Sequence, residues 1–103
     1  TVLADKEEIG SVGNTGLDHW LRKSDINHVI ICGMRTEQCC ETTARVASDL
    51  GYRVTFVSEA TLTFPMAHKD ITLDCDALRH RTETVLEGRF ATVKTVSETL
   101  ESL

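Results

Sequence analysis

His28-Val-Ile-Ile-Cys-Gly-Met-Arg-Thr-Glu-Gln-Cys-Cys-Glu-Thr-Thr-Ala-Arg-Val-Ala-Ser-Asp-Leu-Gly51 is the stretch that decides the fold. Val29 to Cys32 is a continuous apolar run with β-branched residues, which reads as a strand covered on both faces rather than an alternating surface strand. Gly33 ends it. Thr36 stands where a helix N-cap would, its hydroxyl available to the backbone N–H of the third helical residue, which is Cys39. At that position unpaired N–H groups and the positive end of the helix dipole surround the sulfur, and both favour thiolate over thiol.

Cysteine is also among the most often buried residue types, so packing is the competing reading for every thiol in the chain. Cys40 fits it. Its helical neighbours Thr43, Ala44 and Ala47 form a small, mostly apolar stripe suited to lying on a sheet. Cys39 shares a face with Thr42, Thr43 and Val46 instead, and points away from that stripe. The sequence therefore assigns Cys40 to the core and Cys39 to the turn. A sharp strand-to-helix turn of this kind resembles a nucleophile elbow, which lifts a nucleophile above the sheet and offers backbone N–H groups to an oxyanion.

Gly33-Met-Arg-Thr-Glu-Gln-Cys39-Cys40, with an apolar strand before it and Ala44, Ala47 and Gly51-Tyr-Arg-Val54 after it, resembles the isochorismatase-like cysteine hydrolases. That family carries a Gly-Val-x-Thr-Asp-x-Cys-Val turn followed by a helix that ends in Gly-Tyr. Met34, Glu37 and Cys40 depart from its commonest residues. The resemblance implies that Cys39 is the nucleophile, with the backbone N–H groups of Arg35 and Cys39 as oxyanion hole and a cis peptide between Met34 and Arg35, a bond type tolerated at sites that use it.

Taken alone, Lys6 reads as a solvent-exposed lysine. Family members carry a lysine a fixed distance before a Ser-Ala-Phe-x-x-Thr-x-Leu stretch, and Lys6 with Ser11, Val12, Thr15 and Leu17 lines up with that pattern without a gap. Lys6 is then the implied catalytic lysine, whose ammonium supports the thiolate and the negative charge that develops during attack. Val12 stands where an aromatic is usual, at a position the resemblance gives to the substrate pocket.

The remaining elements follow from pattern. Thr15 opens a helix with Leu17, Trp20 and Leu21 on one face, which reads Trp20 as core or interface. Arg53 to Val57 reads as a strand, and Glu59 to His68, with its proline and no helical period, as a loop whose Leu62, Phe64 and Met66 suit packing on a site or a partner. His68 is expected to start a long helix with Ile71, Cys75, Leu78, Val85 and Leu86 at helical spacing, placing Cys75 in the core. Gly88 stops that helix and Phe90 to Lys94 is the next strand. Thr95-Val-Ser-Glu98 is a capping box opening a terminal helix with Val96, Leu100 and Leu103 on one face.

Composition bounds the class. The chain has 103 residues, 41% of them hydrophobic, and a formal net charge of −5. That suits one globular domain, and scattered Lys and Arg without a basic stripe argue against nucleic acid. No run reaches transmembrane length and the start is not a signal peptide. Four cysteines without regular spacing read as free thiols in a reducing compartment, with the cytoplasm as default. His19, His28, His68 and His80 give no metal spacing, and neither metal nor cofactor is implied.

Strands alternating with helices imply right-handed crossovers and an α/β fold, a three-layer α/β/α arrangement with a mainly parallel, doubly wound sheet. The reactive turn lies at a strand's carboxyl end, where α/β sites form. Residues 1–103 then read as one isochorismatase-like domain without its amino-terminal part, since the family's early strands, one bearing a catalytic aspartate, have no counterpart. No Asp here inherits that role. Two functions are expected from this. One is a cysteine hydrolase of a small amide or carbamoyl substrate, because cysteine at the turn favours that chemistry over the vinyl-ether hydrolysis of true isochorismatases. The other is a non-catalytic or truncated subunit serving as an assembly or binding module. An open sheet edge and the apolar Leu62–Met66 segment point to a homo-oligomer.

Overall fold

The computed structural model describes residues 2–4 and 17–103. Four parallel strands, β1 (Val2–Ala4), β2 (His28–Met34), β3 (Arg53–Leu62) and β6 (Thr92–Val93), form one sheet in that spatial order. Between consecutive strands run α1 (Leu17–Lys23), α2 (Glu41–Asp49) and α3 (Cys75–Leu86), as parallel pairing requires. α4 (Val96–Glu101) closes the described chain.

Alternation along β2 and β3 sorts their side chains between two faces. Val29, Ile31, Val54 and Phe56 pack with Leu21 of α1, Ala44 and Ala47 of α2 and Leu86 of α3 in one buried cluster that includes Cys40. Ile30, Cys32 and Val57 border a cleft with Val96 and Leu100 of α4 instead. The fold is therefore α/β, with helices on both faces of a parallel sheet. Thr95 caps α4 through a complete capping box with Glu98.

The register of β2 on β3 breaks just where β2 approaches the turn. Ile31 pairs with Phe56, but Gly33 pairs with Thr61 and Met34 with Leu62, so β3 carries extra residues over that interval. Gly33 has φ +128°, a backbone region that a Cβ makes costly. The bulge carries β3 through Leu62, so the first half of the expected Glu59–His68 loop is strand.

The segment after β3 also differs from the expected loop and long helix. Met66–His68 (β4) and Ile71–Leu73 (β5) form an antiparallel hairpin around Lys69-Asp70, and the helix starts only at Cys75. Lys69 at φ +55° makes the tight turn, while the Asp74 side chain accepts the Ala77 N–H at 2.8 Å and fixes the helix start. Cys75 accordingly sits in the first turn of α3, half-buried, with its Sγ 3.4 Å from the Thr63 carbonyl rather than in the core. Trp20 is also outside the core at 54% exposure, while Leu21 beside it is buried.

Candidate active site

β2 delivers the chain to the site from the middle of the sheet, and its carboxyl end passes through a cis peptide between Met34 and Arg35. Thr36–Cys40 then forms a short π-helical turn that runs directly into α2. The Arg35 carbonyl accepts the N–H groups of Gln38 and Cys40, both at 3.1 Å, the residues on either side of Cys39. The second of these bonds spans five residues and widens the turn.

Thr36 is not the cap expected from sequence. Arg35 occupies the cap position with extended backbone and no side-chain cap bond. The Thr36 hydroxyl, fully buried, lies 2.6 Å from the Thr61 hydroxyl, which itself donates to the Ser58 carbonyl at 2.6 Å. The β3 bulge supplies this partner, and a buried hydroxyl with an acceptor below it gains more there than at a solvent-facing cap.

The two adjacent thiols diverge as the helix pattern implies. Cys40 is fully buried among Ala44, Ala47 and the sheet. Burial, reinforced by the neighbouring Cys39 and Cys32 sulfurs and Glu37, pushes its pKa up to about 12. Cys39 is only half-buried, and its carbonyl accepts the Thr43 hydroxyl at 2.8 Å.

Side chains from distant elements brace the turn. Glu37 accepts the Thr63 hydroxyl at 2.6 Å, and Gln38 lies 3.6 Å from the Met66 sulfur in the hairpin. The Arg35 guanidinium stands over the Phe64 ring, 5.1 Å from its centroid. Behind the turn, Glu41 is buried and receives Arg81 at 2.6 Å, the Thr82 hydroxyl at 2.9 Å and Arg45 at 3.3 Å. A groove of about 540 Å³ opens beside it, bordered by Glu37, Gln38, Met66, His68, Leu73 and Arg81. Lys6 and Val12, expected at the site from sequence, lie outside the described residues.

Residues 1–89 match the family model described as the Isochorismatase domain. The chain belongs to the isochorismatase family. Among curated isochorismatase-family relatives, nicotinamidase 3 of Arabidopsis thaliana is 36% identical over 88 residues, covering 75% of this chain and 44% of its own length. An uncharacterized isochorismatase family protein of Bacillus subtilis, YrdC, is 30% identical over 98 residues, covering 94% of this chain and 52% of its own. A cysteine hydrolase from Pseudomonas syringae superposes with a TM-score of 0.81 at 29% identity, over 86% of this chain and 42% of that one. The chain thus spans about half the length of the relatives it matches.

Some of the bracing was out of reach of sequence reading. Glu41 and Arg45 are a visible i,i+4 pair, but nothing local marks Arg81 and Thr82, forty residues on, as further partners of Glu41. Thr61 and Phe64 were legible as parts of a segment near a site, without their contacts.

Proposed function

We propose that this isochorismatase-family chain carries the nucleophile of a cysteine hydrolase that cleaves a small amide or carbamoyl substrate. The observation that carries the reading is the place of Cys39, a half-buried thiol one residue from a fully buried one, on a turn at the carboxyl end of a central parallel strand. The nicotinamidase relative and the cysteine hydrolase neighbour support the same chemistry.

In this mechanism the Cys39 thiolate attacks the substrate carbonyl carbon and an S–C bond forms. The carbonyl oxygen takes the displaced electron pair, and the N–H groups of Arg35 and Cys39 stabilise that oxyanion. Collapse breaks the C–N bond, the nitrogen leaves as ammonia or an amine after receiving a proton, and a thioester remains on Cys39. Water then attacks the thioester carbonyl, loses a proton, and releases the carboxylic acid and the thiol. Lys6, by family resemblance, supplies the cation beside the sulfur. The aspartate that moves protons in the family has no counterpart in these residues, so slow turnover by the 103-residue chain alone is expected, deficient on the order of 10² to 10⁴.

Mass-mapped alkylation at neutral pH, paired with ammonia release from a panel of small amides, tests the reading. Cys39 is expected to react before Cys32, Cys40 and Cys75, and Cys39→Ala to remove any turnover that Cys40→Ala spares. Faster reaction at another thiol would overturn the site. Four equally inert thiols would favour the assembly-module reading.

A further inference from the structure

Among the described residues the Arg35 guanidinium has no counter-ion. The ion pairs among the described residues are Arg22 with Asp18, Arg45 and Arg81 with Glu41, and Arg79 with Asp76, and none involves Arg35. The acidic residue nearest in sequence, Glu37, turns its carboxylate to Thr63 and Gln38 instead. What positions the Arg35 side chain is the face of Phe64, 5.1 Å from guanidinium carbon to ring centroid. A guanidinium carries five N–H donors, more than one ring face can engage, so a carboxylate can pair with the same cation.

The Arg35 backbone belongs to the turn that carries Cys39. Arg35 follows the cis peptide, its carbonyl anchors the turn through Gln38 and Cys40, and Cys39 comes one turn later. Arg35 is itself half-buried, so solvent screens its charge less than that of a free surface arginine.

We infer that the Arg35–Phe64 pair is the specificity determinant of the site and selects amide substrates that carry a carboxylate near the scissile bond. The inference rests on Cys39 being the nucleophile. A neutral amide would leave the cation unpaired during binding, whereas a carboxylate-bearing one gains a charge-assisted pair and arrives with its carbonyl oriented.

Charge-matched alkylation separates this from the function on which it rests, because it needs no turnover. Iodoacetate and iodoacetamide both form an S–C bond at Cys39 and expel iodide, and they differ in one carboxylate. The rate ratio of iodoacetate to iodoacetamide at Cys39, relative to the same ratio for a free thiol, reads the local cation. Arg35→Gln is expected to lower that ratio roughly three- to tenfold, Arg35→Lys and Phe64→Leu each to lower it in part, and Arg89→Gln to leave it unchanged. An unchanged ratio in Arg35→Gln would overturn the inference. So would a loss in Arg35→Lys as large as in Arg35→Gln, which would mean packing rather than charge. A Cys39 that does not react preferentially with iodoacetamide fails the nucleophile assignment instead, a separate result.

Discussion

The Thr36 and Thr61 hydroxyls meet at 2.6 Å under the turn that carries Cys39. Thr61 gives its proton to the Ser58 carbonyl, so Thr36 must be the donor between the two. Thr61→Val leaves the Thr36 hydroxyl buried with no acceptor, and should cost about 1–3 kcal/mol. The double variant Thr36→Val/Thr61→Val removes both members and should cost less than the sum of the single changes. Urea unfolding of the three variants measures this, and additive costs would contradict the coupling.

Glu41 joins three partners from two helices at one buried carboxylate. Glu41→Ala strands the fully buried Thr82 hydroxyl and uncouples α2 from α3. A loss of about 2–3 kcal/mol is expected, short of the figure for a fully buried ion pair because Arg81 is half in solvent. Glu41→Gln keeps an acceptor for Thr82 and should lose roughly half as much. Equal losses would assign the stability to charge alone.

Two buried acids set the alkaline limit. Burial moves Cys40 from 9.0 up to about 12, and burial together with the hydrogen bond to Asp18 moves Tyr52 from 10.0 up to about 12. Between the lower and upper values the unfolded chain has released these protons and the native chain has not. The native state binds more protons there, so stability falls as pH rises through that window. Chemical unfolding at pH values rising from about 8 should show the decline, and Cys40→Ala should flatten its first part. A decline of the same slope in Cys40→Ala would remove Cys40 as a cause.

The β4–β5 hairpin presents Met66, Ile71 and Leu73 to solvent, with Leu62 and Phe64 beside it. An isolated two-stranded ribbon is marginal in water, and an apolar one is covered in most proteins. Sedimentation at micromolar concentration is expected to show species larger than the monomer, and Ile71→Glu to shift them toward it. A well-folded monomer in the unsubstituted chain would count against self-association through this hairpin.

Sequence alone determined what depends on neighbours along the chain. The buried run of Val29 to Ile31, the Gly33 turn, the stripe of Cys40, Ala44 and Ala47, and the Thr95–Glu98 capping box are all set by side-chain period or by bonds within four residues. The α/β class and the separation of Cys39 from Cys40 follow from those. Only the tertiary structure decided the partners. Apolar residues at 71 and 75 satisfy a helical spacing, yet the Lys69 turn and the Asp74 cap favour a hairpin and then a helix. Thr36 could have capped its own helix, but the β3 bulge brings Thr61 beneath it from 25 residues away. Phe64 reaches Arg35, and Arg81 reaches Glu41, through the same long-range packing. A hydrogen bond between near neighbours is fixed by backbone geometry, whereas one across the sheet depends on register, which the whole core selects at once.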